Sequence, residues 1–195
     1  MTIITFLKNT RHGLRGFSTL PSGKVKNMSG KYICTLNDAL ALQLSSMLDA
    51  EYILLAEVNR LTPYTQYRPL EKAVRLYSEQ SADKINKIER IFNYLMTEPV
   101  RTPNIVVGRM AEETLNVMKH CTSARLRDVM LTSAFQTINQ YKFAVYHSAQ
   151  VIALELEVET VSDLLTEIVE WERDSAKNFN ELALDEIVYH NAITW

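Results

Sequence analysis

Four long stretches of this chain repeat apolar residues every three or four positions, which is the spacing of one buried face on an α-helix. They cover about residues 35–61, 70–95, 124–156 and 160–187. A shorter stretch with the same spacing, residues 105–120, lies between the second and the third. Helices of this length need partners to cover their apolar faces. The pattern therefore constrains the chain to helices packed around one shared core.

Short connections predict how these helices are joined. Residues 63–69, which begin and end with proline, separate the first two helices, and residues 157–159 separate the last two. Connections this short predict two antiparallel helical hairpins. Thr35 followed by Asp38 predicts a capping box where the first helix starts. With the short helix as a crossover, the prediction is an all-α, ferritin-like four-helix bundle with no sheet of any size.

The first 33 residues differ in composition from residues 34–195. Six basic residues precede the first acidic one, Asp38, so we predict a basic arm (1–33) before a helical bundle domain (34–195). Three interpretations of the arm stay open: it docks on its own acidic body or on a second subunit, it targets an organelle, or Met28 is the true first residue. A helical wheel separates its apolar from its basic side chains: Ile3, Phe6, Leu7, Leu14 and Phe17 against Lys8, Arg11, His12 and Arg15.

Four charged residues lie on or beside the apolar stripes of the long helices. Glu51 is near the middle of the first stripe, and Lys84 lies within the second. Glu172 is on the flank of the last stripe, and Lys142 is near the middle of the stripe Leu131, Ala134, Ile138, Val145, Ala149 and Ile152. Buried charges must pair. Alternatively, the lysine stems lie along apolar surface with their ammonium groups in water, and Glu172 belongs to a solvated acidic face.

Five blocks of this chain, taken in order and spacing, are similar to those of a known family. They read TLNDALALQLSSMLDAEYILL, EKAVRLYSEQSADKINKIERIF, GRMAEETLNVM, INQYKFAVYHSAQVIAL and LLTEIVEWERDSAKNFNELA. Over roughly residues 35–185 the chain resembles the bacterial YciE/YciF-like ferritin-like stress proteins. The resemblance implies a ferritin-like fold, a stress-associated role and a homodimer.

The same resemblance implies metal-ligand positions on four helices, and this chain departs from them on two. The expected glutamates of the first and last helices are present as Glu51 and Glu172. On the second helix, the expected His, Glu, Thr and Gln are replaced by Tyr77, Gln80, Ser81 and Lys84. On the helix of residues 124–156, the family has a Glu-His-Tyr-Glu block. This chain has Asn139, Gln140, Tyr141 and Lys142 there, so only the Tyr is matched.

These departures change what the inner positions can bind. A di-iron or di-manganese site needs several carboxylates, usually with imidazoles, whereas the aligned positions here offer two carboxylates, no histidine and two cations. Opposite charges about 4 Å apart attract by roughly 4 kcal/mol at an effective dielectric constant of about 20, which favours Glu–Lys pairs. We therefore expect no cofactor, and a core polar cluster in its place: Glu51, Tyr77, Gln80, Lys84, Asn139, Tyr141, Lys142 and Glu172.

Three functional hypotheses follow. The first is a non-enzymatic, stress-associated structural or interaction protein that acts through its surface and its oligomer. The second is a carboxylate metalloprotein that binds iron or manganese through Glu51 and Glu172 and handles iron or peroxide. The third is a binding module that uses the basic arm on a membrane or a nucleic acid.

Other classes of protein lack support in the sequence. Cys34 and Cys121 stand singly, without a CxxC motif or a nearby pair of histidines, so no zinc site is indicated and a reducing, cytoplasmic location is predicted. There is no glycine-rich phosphate loop. Charges interrupt every apolar run before the roughly 20 residues of a membrane span. Nucleic-acid binding is not expected, because the body is acidic.

Overall fold

The computed structural model describes residues 25–26, 32–99 and 101–191, and these contain five α-helices. They are α1 (Leu36–Leu61), α2 (Arg68–Tyr94), α3 (Ile105–His120), α4 (Ala124–Glu155) and α5 (Glu159–Asn191). The helices predicted from the sequence are confirmed, with bounds that differ by a few residues at most.

The start of α1 is fixed by the predicted capping box. The Thr35 hydroxyl accepts a hydrogen bond from the Asp38 backbone N–H (3.1 Å), and the Asp38 carboxylate accepts one from the Thr35 backbone N–H (2.9 Å). Side chains also cap the next two helices of the crossover region, Asn104 at α3 and Ser123 at α4. Such caps satisfy N–H groups that have no partner within the helix.

Two helices end with a residue in the left-handed conformation, where glycine is the usual choice. Met96 (φ 49°) follows α2 and Glu157 (φ 56°) follows α4. In each case the next N–H donates back to a carbonyl five residues earlier, from Thr97 to Phe92 (3.0 Å) and from Val158 to Ala153 (3.1 Å). These bonds stop the helices sharply before the connections to α3 and α5.

The helices pack as two hairpins joined by a crossover. α1 packs on α2, and α4 packs on α5. Across the bundle α1 contacts α4 and α2 contacts α5, while the short helix α3 packs on α1 and α4. This arrangement is the predicted ferritin-like four-helix bundle, and it directs one face of each long helix into a common core.

A side chain from α4 holds the connection between α1 and α2. The chain leaves α1 through one 3₁₀ turn, Thr62–Tyr64. The buried carboxylate of Asp128 then accepts hydrogen bonds from the Thr65 hydroxyl and from the backbone N–H groups of Gln66 (3.2 Å) and Tyr67 (3.2 Å). Asp128 therefore ties the first hairpin to the second at this end of the bundle.

The buried face of α4 differs from the predicted stripe. Val145, Ile152 and Ala134 are only partly buried. Leu131, Ile138 and Ala149 of the predicted stripe are buried, as predicted. Most of the buried positions, however, follow two heptad series, Asp128, Phe135, Lys142 and Ala149 with Thr132, Asn139, Tyr146 and Ala153. A repeat of 3.5 residues drifts by about 20° per heptad relative to a straight helix, so a fixed wheel of 100° per residue assigned the wrong edge of the stripe.

The apolarity of α1 comes from its position in the core. Among the described residues, one segment, Leu36–Tyr64, is long and apolar enough to span a membrane by length and composition. That segment contains α1, which contributes ten buried residues to the bundle, including Leu44, Leu48 and Glu51. Core packing accounts for its composition without a membrane.

The structural boundary near the start of the chain lies between Cys34 and Thr35. Before it, Val25–Lys26 (β1) pairs antiparallel with Tyr32–Ile33 (β2). The prediction of no sheet was wrong for these four residues, because β-branched and aromatic residues favour a strand even in a short pair. The amphipathic segment predicted within residues 1–24 lies outside the described residues.

Candidate functional site

The four long helices each place one charged residue in the centre of the bundle. Glu51 comes from α1, Lys84 from α2, Lys142 from α4 and Glu172 from α5. All four are 0% exposed. We call these four residues the charged cluster.

Lys142 joins the two carboxylates of the charged cluster. Its Nζ lies 2.9 Å from both carboxylate oxygens of Glu51 and 3.0 Å from Oε1 of Glu172. Lys84 Nζ lies 2.7 Å from the same Oε1 of Glu172. With two carboxylates and two ammonium groups, the charged cluster carries no formal net charge, which is how buried charges are tolerated.

Three uncharged donors complete the hydrogen bonding of the carboxylates. The Tyr77 hydroxyl donates to Oε2 of Glu172 (2.7 Å), and the Tyr146 hydroxyl donates to Oε1 of Glu51 (2.5 Å). The Asn139 amide donates to both the backbone carbonyl (2.9 Å) and Oε2 (2.7 Å) of Glu172. The Glu172 carboxylate thus accepts four contacts, which is the full capacity of its lone pairs.

The spacing on α4 explains why three side chains of one helix contact the two carboxylates of the charged cluster. Asn139, Lys142 and Tyr146 are separated by three and four residues, so they share one face. The sequence interpretation included the first two and missed Tyr146, because it assigned the neighbouring Val145 to the core. The i+4 spacing from Lys142 is the signal that could have identified Tyr146.

An aromatic wall closes one side of the charged cluster. The Tyr77 ring centroid lies 4.5 Å from Lys142 Nζ and 4.7 Å from Lys84 Nζ. Phe135 and Phe179 pack edge-on against the same ring, with centroids 5.9 and 5.6 Å away. The negative face of the ring supports both cations, and the surrounding rings exclude water.

Burial and charge pull the pKa values of the buried carboxyl and ammonium groups in opposite directions. Burial raises the pKa of the Glu172 carboxyl, but the ammonium groups of Lys142 and Lys84 outweigh it and lower that pKa to about 2. Burial lowers the pKa of Lys142, but Glu172 and Glu51 outweigh it and raise the pKa well above its ordinary value. Both groups are therefore charged at neutral pH.

The other titratable partners are shifted mainly by burial. The pKa of Lys84 is lowered by burial and by repulsion from Lys142, against the attraction of Glu172. The pKa values of Tyr77 and Tyr146 are raised well above the ordinary value by burial and then by Glu172 and Glu51 respectively. Both hydroxyls therefore keep their protons and act as donors.

Two residues predicted for the core polar cluster lie outside it, and one is more central than predicted. Gln80 is half-buried and accepts a hydrogen bond from the Ser175 hydroxyl (3.3 Å). The Tyr141 hydroxyl contacts the Asn104 amide (3.3 Å) at the α3 end of the bundle. Glu172, placed on the flank from sequence, contacts both lysines.

The donor set does not fit a di-metal centre. Such a centre needs more anionic ligands than the two carboxylates present, and within the described residues no three His, Cys, Asp or Glu side chains form a group able to hold a metal ion. The position between Glu51 and Glu172 contains the Lys142 ammonium. A cation supplied by the chain itself occupies the point at which the carboxylates converge.

Comparison with known proteins places the chain in a family. Residues 35–192 match the model of DUF892, a domain of unknown function. Protein YciF of Escherichia coli is 23% identical over 154 residues, which are 78% of this chain and 93% of YciF.

Two solved structures have the same fold. The crystal structure of the E. coli stress protein YciF has a TM-score of 0.76 at 22% identity and covers 80% of this chain and 98% of its own. YcfI of Rhodopseudomonas palustris has a TM-score of 0.72 at 18% identity, with coverage of 75% and 93%. The chain is a YciE/YciF-like member of the DUF892 family.

Proposed function

We propose that this protein is a non-enzymatic, stress-associated structural protein whose buried ion pairs replace a di-metal centre. The observation that carries the proposal is the Lys142 ammonium, which contacts both Glu51 and Glu172 at 2.9–3.0 Å. The relatives support the stress-associated, structural role, because YciF is described as a stress protein and a structural role has been suggested for YcfI.

Metal binding would require the charged cluster to come apart. A divalent ion between the carboxylates must displace Lys142, whose ammonium then remains buried without a counter-ion. Lys84, 2.7 Å from Glu172, would still repel the incoming ion. Both effects act in the same direction, so the site disfavours iron and manganese.

The charged cluster also suggests what the core does without a metal. It contains one charged residue from each of the four long helices, so its contacts are made only when all four have the correct register. Buried ion pairs often add little net stability compared with an apolar core, but they can specify one packing arrangement. A scaffold that presents its surface reproducibly needs such an arrangement.

Metal content tests this proposal. The protein, expressed in medium supplemented with iron and manganese, is purified without chelator and analysed for bound elements, together with Glu51→Ala and the exposed control Glu112→Ala. We expect far less than one ion per chain in all three. Near-stoichiometric iron or manganese that disappears only in Glu51→Ala would overturn the proposal.

We further propose that the protein acts as a homodimer in the cytoplasm. The family resemblance supports the dimer, and the isolated positions of its two cysteines in the sequence, Cys34 and Cys121, support a reducing compartment. Light scattering during size exclusion measures the mass of the purified chain, and cell fractionation measures its location. A monomeric mass would contradict the proposed homodimer, and recovery in a periplasmic fraction would contradict the proposed cytoplasmic location.

A further inference from the structure

A small pocket opens to solvent between α2 and α5, beside the charged cluster. Its volume is about 180 Å³. Sites for drug-sized ligands measure about 300–1,000 Å³, and one water takes up about 30 Å³ of the liquid, so this space suits a molecule with the volume of roughly six waters. We call it the α2–α5 pocket.

The buried residues that line the α2–α5 pocket form an apolar, aromatic floor. Tyr77 and Phe179 line it, and their rings meet edge-on with centroids 5.6 Å apart. Both side chains are at most 2% exposed, so the core fixes their positions. Ala73 contributes only a methyl group to the same lining, which leaves space between the two helices. Such a floor binds the apolar part of a ligand and also attracts a nearby cation.

Polar side chains form the rim of the α2–α5 pocket. Asp174 and Asn178 are exposed and lie one turn apart on α5, and the half-buried Gln80 lines the pocket from α2. Gln80 is held there by the hydrogen bond that it accepts from the Ser175 hydroxyl (3.3 Å). Within the described part of the chain, the Asp174 carboxylate has no ion-pair or hydrogen-bond partner. That carboxylate is therefore available to a ligand.

The charge of the α2–α5 pocket selects a cation. Among the described residues that line it, Asp174 alone is charged, and the exposed Glu170 lies one turn before it on α5. The charged cluster behind Tyr77 has no formal net charge, so it does not offset these carboxylates. An anion would be repelled by Asp174, and a neutral molecule would cover the carboxylate without pairing with it.

We infer that the α2–α5 pocket is a binding site for a small organic ammonium ion. The ammonium group donates hydrogen bonds to the Asp174 carboxylate at the rim, and the apolar part of the ion lies on Tyr77 and Phe179. The side-chain oxygens of Gln80 and Asn178 accept the remaining N–H groups. This inference goes beyond the proposed function, because neither the ion-paired core nor a structural role requires a ligand.

Benzylamine is the probe for this site, because it is an ammonium ion at pH 7 and carries one aromatic ring. Benzyl alcohol and benzoate have similar shapes and serve as the neutral and anionic controls. NMR of the ¹⁵N-labelled full chain follows the side-chain amides of Gln80 and Asn178 and the backbone amide of Ser175. We expect saturable shifts with a Kd of about 1 mM for benzylamine, since an ion pair at an exposed rim is weak, and at least about tenfold weaker binding of both controls.

Two substitutions at the rim test the role of Asp174. Asp174→Asn should weaken benzylamine binding by about tenfold, because it removes the charge and keeps the shape. Asn178→Lys should weaken it at least as much, since an ammonium group four residues after Asp174 pairs with the same carboxylate. The control Asp163→Asn, exposed on the same helix but outside the pocket, should leave the Kd unchanged.

Several results would overturn the inference. Benzyl alcohol or benzoate that binds as tightly as benzylamine would refute the selection of a cation. A Kd that is the same in Asp174→Asn as in the original protein would refute the role of the carboxylate. Unchanged signals of Gln80, Asn178 and Ser175 up to about 20 mM benzylamine would refute the site itself. All the substituted positions are exposed, and circular dichroism checks that each variant keeps its fold.

Discussion

Replacing Lys142 by methionine isolates the contribution of its charge. Methionine keeps most of the side-chain length but lacks the ammonium group that contacts Glu51 at 2.9 Å and Glu172 at 3.0 Å. Glu172 retains Lys84, Tyr77 and Asn139 as partners. Among the described residues, Glu51 retains only the Tyr146 hydroxyl. The substitution therefore removes a needed partner mainly from one buried carboxylate, that of Glu51.

The size of that loss has an upper limit. Breaking a buried ion pair by removing one partner typically costs about 3–5 kcal/mol in the free energy of unfolding. We therefore expect Lys142→Met to lose about 3–4 kcal/mol at pH 7, below the top of that range because Glu172 keeps its other partners.

Urea unfolding followed by circular dichroism measures these free energies. Lys142→Ala should lose about 2 kcal/mol more than Lys142→Met, because it adds a cavity to the missing charge. Glu51→Gln combined with Lys142→Met should lose less than the sum of the single changes, since no unpaired charge remains. A loss below about 1 kcal/mol for Lys142→Met, or equal losses for the two lysine variants, would refute the reasoning.

Other contacts predict further stability changes. The pKa of Glu172 is lowered from 4.5 to about 2, so the stability that its charge contributes is present above pH 4.5 and is lost as the pH falls toward 2. In Glu172→Gln, the loss of unfolding free energy over this pH range should be smaller by that contribution. Tyr146→Phe should cost about 2 kcal/mol in chemical denaturation, against less than about 0.5 kcal/mol for the half-buried control Tyr141→Phe. Asp128→Ala should cost about 2 kcal/mol, seen as a lower Tm, because two backbone N–H groups lose their acceptor. Glu157→Gly should raise stability by about 1 kcal/mol in the same assay, since glycine removes the left-handed strain; a lower Tm would contradict this.

Most of the fold could be predicted from local sequence signals. The capping box at Thr35 and Asp38 fixed the start of α1, and the apolar spacing gave all five helices. These signals act within a few residues of the chain, so a single sequence contains them. The one missed pairing, Val25–Lys26 with Tyr32–Ile33, is too short to produce a periodic pattern.

The site was only partly predictable, because its geometry depends on how the helices supercoil. A straight wheel placed Val145 inward, whereas the heptad series brings Tyr146 to Glu51. The same limit placed Glu172 on the flank, although it accepts hydrogen bonds from two other helices, α2 and α4, in the structure. The pairing of Lys142 with both carboxylates depends on the distances between helices. These distances are set by tertiary packing, which the local sequence pattern does not reveal.

The protonation of Lys142 tests the central claim most directly, and ¹⁵N NMR of the lysine Nζ atoms measures it. A protein labelled at lysine is titrated from neutral to alkaline pH, with Lys142→Met used to assign the signal. We expect a slowly exchanging Lys142 ammonium that stays protonated above pH 10.5, the ordinary pKa of lysine, since the two carboxylates raise its pKa well above that value. A Lys142 signal that titrates together with the exposed lysines would contradict a buried ion-paired core.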